Sequence, residues 1–158
     1  MKHLFLVKAF FLIAITCSNN EDRSIPSSNQ HFFCKINNVD FNPTFKSGVN
    51  EPLSNAILIT GNNSNGKTVQ VIMPNNIAPG NYTIINNQPS VLGLAMQYSQ
   101  SDDDSDFGLA NNASLTITEH NQSTKTIKGT FSFTGTILID NSSFAITAGA
   151  FTIQYINP

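Results

Sequence analysis

The chain has 158 residues, 11% of them charged and 40% hydrophobic, with no Trp. Its 21 Asn, 16 Ser and 14 Thr exclude a coiled coil or helical array, which would be rich in Ala, Glu, Lys and Leu, and its 12 Phe and 3 Tyr exclude a disordered tail. Eight basic against ten acidic residues, a net charge of −2, speak against a nucleic-acid partner.

The N-terminus carries an address. Lys2 supplies a positive start, and residues 4–15 are apolar apart from Lys8. That run is shorter than the roughly 20 residues a bilayer-spanning helix needs, so it is expected to be a signal peptide rather than part of the fold. A buried first helix is the alternative, but the stretch has no polar face. The run stops at Cys17, followed by Ser18-Asn19-Asn20-Glu21-Asp22. This resembles a bacterial lipoprotein signal, in which the Cys becomes the lipidated first residue, and the polar, acidic tract resembles the one that Bacteroidota lipoproteins use for surface export. Thr16 and Ala14 depart from the commonest residues of that signal. Cleavage before Cys17 leaves six basic against ten acidic residues, a net of −4. The expected division is a signal peptide over 1–16, a lipidated Cys17 with a flexible tether over 17–30, and a single β domain over 31–158. The expected address is the bacterial outer membrane, with the domain lipid-anchored and facing the surface.

From Phe32 onward the dominant period is two, the mark of half-buried antiparallel strands. Phe32, Cys34 and Ile36 alternate toward one face, so Cys34 is expected to be a small buried hydrophobe rather than a reactive thiol. A Cys17–Cys34 disulfide is the alternative, and lipidation of Cys17 would exclude it. Asn37-Asn38 suits a two-residue type I′ hairpin, because Asn tolerates positive φ. Further strands are expected at 55–60, 68–73, 82–85, 91–98 and 144–147. Ala56-Ile57-Leu58-Ile59 is apolar on both faces and is expected to be central. Leu115 and Ile117, then Ile127, Gly129, Phe131 and Phe133, then Phe151, Ile153 and Tyr155 alternate with polar neighbours. Asn, Gly, Pro and Ser clusters separate these runs with turn chemistry. The expected fold is all-β: an antiparallel meander of about 8–10 strands, packed as a sandwich or flattened barrel.

Five blocks carry a family resemblance. They are Cys34-Lys35-Ile36-Asn37-Asn38-Val39-Asp40-Phe41, Pro79-Gly80-Asn81-Tyr82-Thr83-Ile84, Ser114-Leu115-Thr116-Ile117-Thr118, Ile127-Lys128-Gly129-Thr130-Phe131-Ser132-Phe133 and Ile146-Thr147-Ala148-Gly149-Ala150-Phe151. In this order, behind a lipoprotein signal, they resemble an uncharacterised family of Bacteroidota lipoproteins. The resemblance implies a location and an all-β fold, and it carries over no catalytic residue.

Chemistry-bearing residues are few. His31 and His120 are far apart and are expected to be exposed turn histidines. No Gly-x-Ser-x-Gly elbow anchors a Ser/His/Asp set, and no Cys-x-x-Cys or His-x-x-x-His suggests zinc. In Ser101-Asp102-Asp103-Asp104-Ser105-Asp106, the residues Asp102, Asp104 and Asp106 have the alternate spacing of a calcium loop. The EF-hand pattern then requires Gly and a later Glu, where Phe107 and Asn112 stand; a solvated, mobile loop is the favoured expectation.

Gly61-Asn62-Asn63-Ser64-Asn65-Gly66-Lys67-Thr68 matches the phosphate-binding loop pattern. A helix must follow such a loop, yet Thr68-Val69-Gln70-Val71-Ile72-Met73 is β-branched and alternating, so a hairpin loop without nucleotide is expected. The sequence therefore points to a non-enzymatic, lipid-anchored envelope protein that needs no cofactor. Its domain would serve binding or structural contact with a glycan, small molecule or protein. A lipocalin-like carrier of one small apolar ligand, and less readily a surface hydrolase, are the rivals.

Overall fold

The computed structural model describes residues 30–103 and 106–158. Every regular element among them is a strand: β1 (His31–Ile36), β2 (Val39–Phe41), β3 (Phe45–Glu51), β4 (Ala56–Asn62), β5 (Thr68–Pro74) and β6 (Gly80–Ile85). They are followed by β7 (Gln88–Pro89), β8 (Ala95–Ser99), β9 (Phe107–Asn121), β10 (Thr126–Thr136) and β11 (Ser143–Gln154). The fold is all-β, as the alternation predicts, and the antiparallel sheet curls into a half-barrel.

The strand order is β2-β1-β11-β10-β9-β8-β5-β4-β3, with β6 lying on β9 and β7 on β6. Strand β9 joins the two halves. Its first residues pair with β8 (Ser99 opposite Phe107), its later residues pair with β6 (Gly80 opposite Ile117), and β10 runs along its other edge. Register shifts between Lys128 and Gly129, and between Thr134 and Gly135, interrupt the β9–β10 ladder. Such bulges bend a strand and increase its twist, which supplies the curl.

Two bulged strands change which parity faces inward. In β11, Phe144 and Ile146 are buried, then Phe151 and Ile153. Between them Ala148 takes φ 51°, and the register slips opposite Phe131 and Phe133. What alternation alone divides into two runs is one continuous strand. Strand β9 shows the same change, with Gly108 and Ala110 buried early and Leu115 and Ile117 later.

The expected run at 91–98 shortens to β8. Gly93 has φ 85° and the Leu94 N–H donates to the Val91 carbonyl at 3.3 Å, so the first part of the run is a turn. Strand β4 lies between β3 and β5, inside the sheet as expected, but only alternate residues are fully buried after Ile57. The turns behave as their Asn content requires. Asn37 and Asn38 have φ 49° and 67°, and Asn86 and Asn87 have φ 50° and 64°, the signature of two-residue type I′ hairpins.

One core fills the curl. Phe131 lies 5.4 Å from Phe32, 6.1 Å from Phe151 and 6.3 Å from Phe133, centroid to centroid. Phe133 meets Phe144 edge-on at 5.8 Å, and Tyr98 stands 5.2 Å from Phe144. Each fully buried aromatic or branched side chain contributes about 1.5–3 kcal/mol relative to exposure. Cys34 is fully buried in this cluster, so the expectation from its alternation holds.

At one end of the order, β3 meets the chain just beyond β11. The Asn50 N–H donates to the Ile156 carbonyl at 2.8 Å, and the Ile156 N–H donates to the Gly48 carbonyl at 3.0 Å, forming a parallel bridge between Val49 and Ile156. Gly48 permits this approach: a Cβ there would lie 2.5 Å from Ile153 Cγ2 and 2.9 Å from Tyr155 Cβ.

Candidate functional site

Two of the residues singled out in the sequence, Cys17 and Asp104, lie outside the described residues, as do the signal peptide and nearly all of the tether. The remaining acidic residues sit in the link from β8 to β9. The Asp106 carboxylate accepts from Gln100 Nε2 at 3.2 Å and from Ser101 Oγ at 2.9 Å. Its N–H donates to the Asp103 carbonyl at 3.0 Å, and its carbonyl accepts from the Gln100 N–H at 3.0 Å. Asp103 N–H donates to Ser101 Oγ at 3.2 Å. Asp102 and Asp103 are exposed, while Asp106 is the closing member of a hydrogen-bonded turn. Its oxygens are engaged by neutral donors of the same turn, and among the described residues no group of three carboxylate, His or Cys side chains is placed to hold a metal ion.

The loop with the phosphate-binding pattern lies against that turn. It is a β hairpin: β4 and β5 pair from Ala56 opposite Pro74 to Asn62 opposite Thr68. Asn63 organises the connection, its Oδ1 accepting the N–H groups of Asn65 at 3.1 Å and Lys67 at 3.0 Å. Those N–H groups point at a side-chain oxygen of their own loop. A strand follows, so there is no helix end to receive a phosphate. Gly66 has φ 78°, and a Cβ on it would stand 2.6 Å from Asp102 N and 2.7 Å from Asp102 Cγ. A phosphate approaching this glycine would meet the Asp102 carboxylate. Beside it lies a cleft of about 380 Å³, in which Thr68, Gln97 and Ser99 face Asp102 and Asp103.

The opposite chemistry gathers where β3 meets the chain beyond β11. A cleft of about 240 Å³ is walled by Asn50 on β3, Asn75 and Asn76 in the turn after β5, and Asn157 near the C-terminal end. Gln122 and Lys125 from the β9–β10 turn and the Tyr155 side chain complete it. The backbone holds these walls together. Asn75 N–H donates to the Asn55 carbonyl at 2.9 Å, and Tyr155 N–H donates to the Lys125 carbonyl at 2.8 Å.

His120 braces the cleft. Its Nδ1 is 2.7 Å from the Ile77 carbonyl, which can only accept, so Nδ1 carries the proton. In the neutral ring Nε2 is then an acceptor, and it lies 3.0 Å from the Tyr155 hydroxyl, which donates to it. The expectation of an exposed turn histidine is corrected for His120, which is half-buried with both nitrogens engaged; His31 is exposed on β1. Burial pushes the Tyr155 phenol upward from its ordinary value. His120 thus has neither nitrogen directed at a nucleophile, which is what base catalysis of the Ser/His/Asp type requires.

One polar atom behind the cleft wall stands out. Asn50 Nδ2 donates to Asn157 Oδ1 at 3.1 Å, while Asn50 Oδ1 is buried without a hydrogen-bond partner. None of these cleft residues is distinguishable in the sequence, because Asn at a turn is the commonest event in this chain.

A family model described as "Domain of unknown function (DUF6252)" matches residues 29–153. No curated protein and no solved structure matches the chain.

Proposed function

The chain belongs to the family of that domain of unknown function, DUF6252, and from this premise we propose that it is a non-enzymatic, lipid-anchored protein of the bacterial outer membrane. Its β domain makes binding or structural contacts at the cell surface. The observation that carries the reading is the apolar run over 4–15, ended by Cys17 and a polar, acidic tract, at a distance of chain from β1 that suits a tether.

What supports a contact role over a carrier role is the filled interior. Phe131, Phe133 and Phe151 occupy the space a lipocalin-like ligand would need, and the clefts beside Asn50 and beside Asp102 lie among polar side chains. What supports contact over hydrolysis is that His120 is committed to Ile77 and Tyr155.

Cys17→Ser tests the anchor. The parent chain, expressed in a bacterium that processes lipoproteins, is expected in the membrane fraction and in the detergent phase on partitioning, and the variant in the aqueous phase. A Cys17→Ser chain that partitions like the parent overturns the reading.

A further inference from the structure

The chain enters the domain at one end of the sheet. His31, the first residue of β1, lies opposite Thr152 near the close of β11, and Gln30 Nε2 donates to the Gln154 carbonyl at 3.3 Å. The bridge from Ile156 to Val49 ties that end to the close of β3, so the turn from β3 to β4 (52–55) belongs to it. The link from β7 to β8 (90–94) arrives at the same place. Ala56 pairs with Pro74, the Asn75 N–H donates to the Asn55 carbonyl at 2.9 Å, and a Cβ on Gly93 would stand 3.7 Å from Pro74 Cγ.

These two turns carry the most exposed large apolar side chains among the described residues, Leu53 at 99% and Leu92 at 92%. A single exposed leucine is ordinary. Two of them flanking Pro74, at the end where the chain arrives, make a pair of apolar tips. Charge separates this end from the other. In the turns over 52–55, 75–79, 90–94 and 122–125 the one charged side chain is Lys125, with Glu51 closing β3 beside them. The opposite end holds Asp102, Asp103 and Asp106 between β8 and β9 and Asp140 between β10 and β11, against Lys67 between β4 and β5. Leu138 and Ile139 are exposed there too, but they run directly into Asp140. A membrane surface bearing phosphate headgroups repels that acidic end and admits the leucine end.

Reach points the same way. Cys17 stands 13 residues before Gln30, a length that extends at most about 45 Å. Strand β11 alone runs 12 residues, about 40 Å. Presenting the acidic end to a bilayer that holds Cys17 would take a fully extended chain laid along the whole domain.

We propose that the domain rests on the lipid surface through this end, with Leu53 and Leu92 entering the boundary between headgroups and acyl chains and the acidic end turned outward. The inference rests on the reading of the chain as lipid-anchored at Cys17 and adds the orientation of the domain on its membrane.

The chain has no Trp, so Leu53→Trp, Leu92→Trp and Leu138→Trp each place a single reporter in the full-length protein. Each variant is held on vesicles of phosphatidylethanolamine and phosphatidylglycerol through Cys17 coupled to a maleimide lipid, Cys34 being buried. Emission from Leu53→Trp and Leu92→Trp should shift to the blue and be quenched by brominated acyl chains, as for side chains about 5–10 Å into the boundary. Emission from Leu138→Trp should not change. Because Trp itself favours interfaces, the parent is read separately: its amide hydrogen exchange over 52–55 and 90–94 should slow on the vesicles. Leu53→Asp with Leu92→Asp should abolish that slowing and leave the melting temperature unchanged, since both positions are exposed. Reporters at Leu53 and Leu92 that stay unquenched, quenching as strong at Leu138, or slowing that survives the two Asp substitutions overturns the proposal. Slowing that appears without vesicles as protein concentration rises assigns the leucine end to a second copy of the chain and overturns it too. Coupling at Cys17 supplies the attachment whether or not a cell lipidates that residue, so a failed anchor shows in the partitioning of Cys17→Ser and a failed docking shows here.

Discussion

The Tyr155 hydroxyl lies 3.0 Å from Nε2 of His120, joining a residue beyond β11 to the end of β9. Because the same ring binds the Ile77 carbonyl, three separated segments depend on one imidazole. His120→Ala should destabilise the domain by about 1–3 kcal/mol, since it leaves a hydroxyl and a carbonyl without partners. Tyr155→Phe should cost about 1 kcal/mol, and the double variant less than the sum. Urea unfolding followed by Tyr fluorescence measures all three; strictly additive losses would show that the two side chains do not interact.

Alkaline pH should weaken the fold. Burial pushes the Cys34 thiol up from 9.0 to about 12. Burial also raises Tyr98, helped by the charges of Asp106 and Cys34, and raises Tyr155. Above 9 the unfolded chain releases a thiol proton that the folded chain keeps. The contribution is therefore fully present below 9 and lost as pH rises through about 12. The urea midpoint should fall from about pH 9 upward, and less steeply for Cys34→Ala. A thiol reagent should label Cys34 only as fast as the domain opens; immediate labelling of the native chain would contradict its burial.

The glycine-lysine loop should prove indifferent to nucleotide. Lys67→Ala should leave the urea midpoint within about 0.5 kcal/mol of the parent, as expected for a surface change. Gly66→Ala should cost more than 1 kcal/mol, roughly, because it strains a positive φ and drives a methyl into Asp102. Calorimetric titration with ATP and GTP should give no saturable heat. Nucleotide binding abolished by Lys67→Ala would reverse this assignment.

Calcium should not stabilise the turn between β8 and β9. Asp106 already has Gln100 and Ser101 as donors, so a cation would have to displace them. Replacing Asp102, Asp103, Asp104 and Asp106 together by Asn should leave the calcium response of the melting temperature unchanged at zero. A calcium-dependent rise in the parent that the variant lacks would establish a metal site.

Most of the sheet was legible because inward Phe and Ile residues alternate with Thr and Ser, and because Asn pairs mark the hairpins. Strand β3 was not, since its one buried position is Gly48, which contributes nothing to a hydrophobic pattern. The early part of β9 was hidden similarly: Gly108 and Ala110 face inward while Leu109 faces out. Bulges near Ala148 and after Asn111 then reverse the parity, so a single strand reads as fragments. The role of His120 was not legible because its partners are 43 and 35 positions away. The carboxamide cleft was not legible because Asn serves turns throughout this chain, and sequence does not separate an Asn that caps a turn from one that lines a cleft.

The pairing of β1 with β11 has a consequence for timing. Asn37 and Ala145, joined by two hydrogen bonds, are 108 positions apart, so β1 leaves the ribosome well before its partner β11 and must wait for it. The β1–β2 hairpin is too small to persist alone in water. Local pairs such as β4–β5 and β9–β10 can assemble first, and the seam with β1 is made afterwards, because distant contacts require the long loop to close. Nascent chains stopped before Ser143 should stay open to protease, whereas completed chains should not. Such delay keeps the two ends of the sheet apart for as long as the polypeptide is being made, so the curl closes only once β11 is available.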